Sequence, residues 1–151
     1  MRAYRIADRR FPIFDGSGAR LVGGRWNSPG RPVIYAAETF AAALLEILVH
    51  SNLARIPKTH AAIEITIPDT LRIESLSSGD LPEWDSESLS ASRVFGDRWL
   101  TDRRSAVLLV PSVITRDFER NVLINPEHPD FGKITAGEPR EVEWDKRLFS
   151  G

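Results

Sequence analysis

A single carboxylate, Glu46, stands in the middle of the most apolar helical stretch of this sequence, residues 41–50. On a helix, its neighbours three and four positions away are Ala42, Ala43, Val49 and His50. We therefore expect no cation on the same helix to pair with Glu46. Because burying an unpaired charge is costly, this carboxylate must either meet a partner from another element or line a cleft.

Two short segments ahead of this helix supply candidates for such a partner, or for the walls of such a cleft. They are residues 23–27, Gly-Gly-Arg-Trp-Asn, and residues 34–38, Ile-Tyr-Ala-Ala-Glu. We interpret Arg25, Tyr35 and Glu46 as three sides of one site.

Each of these three residues also has a purely structural explanation. A glutamate in an apolar helix is often a surface residue or a member of an ion pair. Arg25 is equally well explained by stacking on Trp26 or by pairing with a core carboxylate such as Glu46. A tyrosine within a strand, as Tyr35 is expected to be, most often belongs to the core. The residues by themselves leave both kinds of explanation open.

The composition restricts the classes of protein to which the chain can belong. Its 151 residues suit one domain, which we expect to span residues 1–151. Its 20 Lys and Arg residues balance its 21 Asp and Glu residues, and no basic block or stripe follows the sequence. Direct binding to nucleic acid is therefore not expected.

The sequence also lacks the signals of disulfides, metal sites and membrane spans. It has no cysteine, which removes disulfides, thiolate metal sites and a cysteine nucleophile. His50, His60 and His128 lack the spacing of metal ligands, so we expect no metal. The N-terminus runs directly into polar residues, and no stretch approaches the roughly 20 apolar residues of a membrane span. A soluble cytoplasmic protein is the simplest expectation.

The hydrophobic pattern predicts an α+β fold, with a small mixed sheet as its core and flanking helices. Strands are predicted at residues 4–6, 32–37, 61–67, 71–73, 106–110, 121–125 and 140–144, and helices at residues 39–50 and 86–104. Thr39 is a candidate N-cap of the first helix, and Pro111 is expected to end a buried strand. The candidate core contacts of the second helix are Leu89, Val94, Trp99 and Leu100.

Five segments, in this order along the chain, resemble the RES domain family. They are residues 23–30 (GGRWNSPG), 34–38 (IYAAE), 43–46 (ALLE), 110–112 (VPS) and 121–129 (NVLINPEHP). Residues 144–149 are similar to the C-terminal strand of the family, so the resemblance covers nearly the whole chain. The family takes its name from an arginine, a glutamate and a serine, which we match to Arg25, Glu46 and Ser112.

The resemblance implies a fold related to ADP-ribosyltransferases and the function of a toxin in a type II toxin–antitoxin pair. It implies that NAD is the substrate, degraded by hydrolysis or phosphorolysis of the nicotinamide–ribose bond. The partner that it implies is an Xre-type antitoxin, which carries a DNA-binding helix-turn-helix. Two alternatives stay open: transfer of ADP-ribose to a specific host protein, and a non-catalytic chain that only binds a transcriptional regulator.

The chemistry of the matched residues agrees with cleavage of NAD. The bond breaks through an oxocarbenium-like state, which Glu46 can stabilise by holding a ribose hydroxyl and opposing the positive charge. Arg25 offers a planar fork for the pyrophosphate, and Tyr35 offers a ring that stacks on the nicotinamide or the ribose. Ser112 and Asn125 are expected to orient a bound group. The first four are thus candidate catalytic residues, and all five are candidates for binding NAD.

Three polar residues near these motifs keep open roles. Ser112 follows Pro111, a position that also suits a turn or cap residue. His50 lies one turn after Glu46, where it either touches the cleft or interacts with the C-terminal dipole of the helix. His128 is expected to cap backbone groups in a loop, while its place in a motif shared with the RES family leaves a functional role open.

Overall fold

The computed structural model describes residues 1–50 and 55–149, which form eight strands and three α-helices. The strands are β1 (Arg2–Asp8), β2 (Ile34–Ala37), β3 (His60–Thr66), β4 (Ile73–Ser75), β5 (Val107–Ser112), β6 (Arg116–Ile124), β7 (Thr135–Ala136) and β8 (Arg140–Glu141). The helices are α1 (Ser17–Val22), α2 (Phe40–His50) and α3 (Ser90–Asp102). None of the helices in these described ranges is long and apolar enough to cross a membrane.

All eight strands belong to one sheet. Its order is β4-β5-β6-β2-β1-β3-β7, and β8 pairs with the other end of β3. Every pairing is antiparallel except that of β4 with β5, which is parallel. The prediction of an α+β fold with a mixed sheet is therefore confirmed.

The central strands are buried on both faces. Alternate residues of β5 and β6 enter two different core clusters: Val107 and Val122 pack into one, whereas Leu108 and Leu123 pack into the other. The second cluster includes Trp99 of α3, which is fully buried. This two-sided burial explains why residues 106–110 form a continuous apolar run rather than an alternating one.

Helix α2 forms as the sequence predicts. Thr39 is its N-cap, because its Oγ1 accepts a hydrogen bond of 3.1 Å from the backbone N–H of Ala42. Ala42 and Ala43 are buried in a cluster with Ile6 of β1. The small side chains let α2 approach the sheet closely, so the residues on the next turn, Glu46 among them, lie near the central strands.

Helix α3 begins four residues later than predicted. Leu89, which precedes it, has a φ of 62°, in the left-handed region, so the helix starts at Ser90 instead of Ser86. Trp99 and Leu100 are buried as expected, but Val94 was wrongly assigned to the core because 62% of it is exposed.

Pro111 does not end β5, which continues through it to Ser112. The prediction was wrong because β4 stops opposite Leu109, so Pro111 has no β4 neighbour that needs its missing N–H. On the other side of β5, the pairing with β6 is irregular between Pro111 and Ser112. This bulge comes directly before the turn into β6.

The other predicted strands also differ in their bounds, by one or more residues at their ends. Leu71 is a buried core residue ahead of β4, which covers Ile73–Ser75 instead of residues 71–73. The strand predicted at residues 121–125 begins earlier, at Arg116. The strand predicted at residues 140–144 is only Arg140–Glu141.

Candidate active site

A cavity of about 470 Å³ opens where α2, the loop after α1 and the central strands meet. Its volume lies in the range of small-molecule sites. Most of its wall is apolar, and its polar and charged lining side chains are Tyr4, Arg5, Arg25, Tyr35, Glu46, His50 and Asn121. Three candidate site residues, Arg25, Tyr35 and Glu46, therefore line one cavity.

Glu46 meets partners from two other elements and also lines the cavity. Its Oε1 accepts hydrogen bonds from Ser112 Oγ at 3.2 Å and from Asn121 Nδ2 at 3.0 Å. Its Oε2 lies 2.9 Å from Nε2 of His50, one turn later on α2. The expectation that no cation on its own helix pairs with Glu46 was therefore wrong, because the His50 side chain reaches back across one turn.

Glu46 and His50 each shift the pKa of the other in the direction that favours its charged form. Partial burial raises the pKa of Glu46, but the hydrogen bonds from His50, Asn121 and Ser112 outweigh it, and the net pKa lies below its ordinary value. The hydrogen bond to Glu46 raises the pKa of His50, against smaller opposing effects of burial and of the Arg25 charge. At neutral pH Glu46 is therefore an ionised carboxylate inside a largely apolar cavity.

The hairpin of β5 and β6 delivers both side chains that bind Glu46 Oε1. Asn121 of β6 lies opposite Val110 of β5, and Ser112 follows the bulge two residues later. Such a bulge redirects the side chain that follows it. Ser112 Oγ also accepts the backbone N–H groups of Ile114 and Thr115, at 3.1 and 3.2 Å. Ser112 thus caps the turn into β6, which is one of the roles expected from the sequence. Its hydroxyl also donates a hydrogen bond to Glu46.

Arg25 is held by main-chain carbonyl groups. Its Nη1 donates to Trp84 O and Ser86 O, each at 3.1 Å. Its neighbour Trp26 stacks on the Trp84 ring, with the ring centroids 6.4 Å apart. Among the described residues, every hydrogen bond of this guanidinium comes from Nη1, so Nε and Nη2 are available to a ligand.

Tyr35 fixes the loop that carries Arg25. Its hydroxyl donates to Asn27 Oδ1 at 2.7 Å and accepts the backbone N–H of Trp26 at 3.0 Å. A Cβ at Gly24 would lie 2.6 Å from this hydroxyl, so only glycine allows the ring to pack here. Burial raises the pKa of Tyr35, which keeps the phenol neutral.

Helix α3 donates hydrogen bonds to the loop that carries Arg25. Ser92 Oγ donates to Arg25 O at 2.6 Å, and Arg93 Nε donates to Gly24 O at 2.8 Å. One turn later, a Cβ on Gly96 would lie 1.7 Å from Trp26 O, so the loop backbone rests directly on the helix. The position of Arg25 is thus determined by backbone contacts on several sides.

Two residues of the cavity were not identified from the sequence. Asn121 was assigned only to a strand, although it binds Glu46. Arg5 of β1 donates from Nε to Ile13 O and from Nη1 to Tyr35 O, both at 2.8 Å. Burial lowers the pKa of Arg5, and the charge of Asp15 opposes that effect in part. The sequence signal that could have identified Arg5 is its charge, because it lies inside a predicted strand.

Asn125 does not lie with the other candidates. It is 1% exposed, and its Nδ2 donates to Leu100 O at 3.2 Å. Its Oδ1 accepts the backbone N–H of Glu127 at 3.0 Å. Because it follows the end of β6 distant from Asn121, the structure does not bring Asn125 together with the other candidates, and its role in orienting a bound group stays a prediction. His128 Nδ1 accepts the backbone N–H of Asp130 at 3.0 Å, the loop cap that was expected.

Residues 2–145 match the RES domain family. The chain belongs to this family. One similar protein is the "Prs ADP-ribosylating toxin" of Sphingobium sp. (strain YBL2), which is 42% identical over 138 residues. The alignment covers 89% of this chain and 85% of the Sphingobium protein. Another is "Toxin Res" of Photorhabdus laumondii, 35% identical over 153 residues, with 98% of this chain and 97% of its own length covered.

A solved structure shares the fold of this RES domain. It is the crystal structure of the M. tuberculosis MbcT-MbcA toxin-antitoxin complex, in which one chain superposes with a TM-score of 0.74 at 19% identity. The superposition covers 98% of this chain and 86% of the other. In the RES domain described here, Arg25 and Glu46 line one cavity, and Ser112 reaches it through Glu46.

Proposed function

We propose that this RES domain is the toxin of a type II toxin–antitoxin pair and that it consumes NAD by cleaving the nicotinamide–ribose bond. The observation that carries the proposal is the ionised Glu46, held on Oε1 by Ser112 and Asn121 in a cavity that also contains Arg25. The Sphingobium and Photorhabdus relatives are both named as toxins, which supports the biological role.

Glu46 supplies the electrostatic part of the reaction. As the bond breaks, positive charge develops on the ribose, and a carboxylate fixed nearby stabilises that charge more than it stabilises the bound substrate. The nicotinamide ring nitrogen is already cationic in NAD, so its departure needs no protonation by a strong acid. One preorganised carboxylate therefore suffices, and its lowered pKa keeps it charged at neutral pH.

Two arginines are suited to hold the pyrophosphate. Arg25 has Nη1 bound to carbonyl groups, which orients its remaining donors, and a planar guanidinium binds phosphate oxygens in pairs. Arg5 brings a second positive charge, whose burial costs free energy that the nearby Asp15 offsets only in part, and an anion bound in the cavity would compensate it further. The Tyr35 side chain lines the same cavity.

The acceptor of ADP-ribose distinguishes two forms of the proposal. In the first, water or phosphate attacks the ribose, and NAD is degraded. In the second, a specific host protein is modified, which the name "Prs ADP-ribosylating toxin" of the 42% identical relative favours. A non-catalytic binding protein is the weakest alternative, because it would not need to keep an ionised carboxylate and two arginines in one cavity.

The proposed partner is an Xre-type antitoxin in the cytoplasm, where NAD is abundant. The cavity mouth carries two exposed apolar residues, Val49 (60% exposed) and Val113 (39% exposed), and the interior carries Arg25. A segment of the antitoxin with apolar side chains and a carboxylate matches that arrangement, and would exclude NAD by occupying its site. Recognition of DNA would then belong to the antitoxin.

Controlled expression in bacteria tests this function. We expect the wild-type chain alone to stop growth and to deplete cellular NAD, or to leave ADP-ribose on a host protein. Co-expression with the antitoxin from the adjacent gene should restore growth. Expression of Glu46→Gln should be tolerated, and equal toxicity of this variant would contradict the proposal.

A further inference from the structure

Backbone strain in this fold is concentrated around one loop. Among the described residues, four that are not glycine have positive φ values: Glu83 (64°), Leu89 (62°), Arg103 (50°) and Arg116 (58°). Two of them begin and end residues 83–89, and a third, Arg116, contacts this loop. Such conformations are unfavourable for side chains with a Cβ and recur at functional sites.

The loop of residues 83–89, which we call the Arg25 clamp, supplies both carbonyl groups that bind Arg25. Trp84 O and Ser86 O converge on one nitrogen, Nη1, because the chain turns back between them. Trp84 is 5% exposed and stacks on Trp26, the residue next to Arg25. The clamp is therefore attached to the Arg25 loop by a ring contact as well as by hydrogen bonds.

Arg116 connects the clamp to the hairpin that holds Glu46. Its Nη1 lies 2.9 Å from Asp85 Oδ2, and its guanidinium lies 5.8 Å from the Trp84 ring centroid. In the sheet, Arg116 is the cross-strand partner of Ser112, whose hydroxyl donates to Glu46. Arg116 is thus linked both to the clamp, which binds Arg25, and to Ser112, which binds Glu46.

We propose that the Arg25 clamp and Arg116 are positioning elements, which hold the Arg25 guanidinium in the orientation that binds the ligand. The inference rests on the proposed role of Arg25 in binding NAD. A purely structural role explains the contacts less well, because an exposed Arg–Asp pair adds little to folding and strained backbone opposes it.

Two pairs of variants distinguish a role in positioning Arg25 from a contribution to the stability of the fold. Arg116→Ala removes the contact with the clamp, and Arg10→Ala is its control, since it removes an exposed Arg–Asp pair elsewhere. We expect Arg116→Ala to raise the KM for NAD about tenfold with a smaller change in kcat, because a misplaced binding group weakens the substrate complex. Arg10→Ala should leave KM unchanged.

The second pair replaces strained residues by glycine. Glu83→Gly relieves strain at the first residue of the clamp but also gives it the wider backbone freedom of glycine, and Arg103→Gly makes the same change at the C-terminal end of α3. Both residues are exposed, so we expect neither variant to have a lower Tm than the wild type. Only Glu83→Gly should raise the KM for NAD, by about threefold or more.

An NMR measurement without NAD keeps this inference separate from the proposed function. The guanidinium signals of Arg25 in ¹⁵N-arginine-labelled protein are assigned by their loss in Arg25→Lys. We expect them to shift or broaden in Arg116→Ala and Glu83→Gly, and to stay unchanged in Arg10→Ala and Arg103→Gly. Failure of the wild type to consume NAD would contradict the proposed function alone. Unchanged Arg25 signals in Arg116→Ala and Glu83→Gly would overturn the positioning role.

Discussion

His50 and Glu46 form a hydrogen bond of 2.9 Å across the last turn of α2, at the edge of the cavity. Its strength depends on pH, because both partners titrate. The bond raises the pKa of His50 above its ordinary value of 6.5, whereas the pKa of Glu46 lies below its ordinary value of 4.5. The ion pair therefore has a pH window in which it stabilises the fold.

The first prediction concerns that window. The His50 contribution is complete below pH 6.5 and is lost as the pH rises through the raised pKa of the folded protein. The Glu46 contribution is complete above pH 4.5 and is lost as the pH falls through its lowered pKa. The difference in Tm between wild type and His50→Gln should thus be largest between these values and smaller at pH 8.5. The same difference at pH 5.5 and 8.5 would show that the pair contributes nothing.

A second prediction concerns Asn121, which donates to Glu46 Oε1. Asn121→Ala removes a hydrogen bond that favours the charged carboxylate, so the pKa of Glu46 should rise. We expect the acid limb of the kcat/KM profile for NAD to move to higher pH, with a loss of about tenfold at neutral pH. An unchanged acid limb would indicate that another group controls it.

A third prediction tests the contact between α3 and the Arg25 loop. Alanine is normally favoured over glycine inside a helix by about 1 kcal/mol. At Gly96 the added Cβ meets Trp26 O, so Gly96→Ala should instead destabilise the fold by about 2–3 kcal/mol. Gly79→Ala is the control, because a Cβ there has no neighbour within 4 Å among the described residues. Denaturant unfolding of both variants measures the difference.

A fourth prediction concerns the geometry of Arg25. Lysine keeps the charge but has no planar fork, and it cannot bind two carbonyl groups and a pyrophosphate together. Arg25→Lys should therefore mainly weaken the binding of NAD, measured by calorimetry or as KM. An unchanged affinity would assign Arg25 to the structure of the loop alone.

Local features of the fold were predictable, and long-range contacts were not. The apolar run and the Thr39 cap were sufficient to predict α2, and alternation was sufficient for β3. The partners of Glu46 were harder to find, because Ser112 and Asn121 are 66 and 75 residues away in sequence. Only the strand register brings them together.

The errors in the site have equally specific causes. Asn121 and Asn125 are the first and last residues of one predicted strand, and the sequence does not tell which end faces the cavity. The left-handed Leu89 delays the start of α3, but no glycine marks that position. His50 was not recognised as a partner of Glu46, because a histidine is a cation only when it is protonated.

The central claim is that Glu46 drives cleavage of NAD, and release of nicotinamide by purified protein free of any inhibitor tests it most directly. Glu46→Gln keeps the shape of the side chain but removes its charge, so the rate should fall by about 10² or more at an unchanged Tm. The assay is run in water alone, with phosphate, and with cell lysate as a source of protein acceptors. We expect release by the wild type in at least one of these conditions. No release in any of them, or near-normal turnover by Glu46→Gln, would contradict the account.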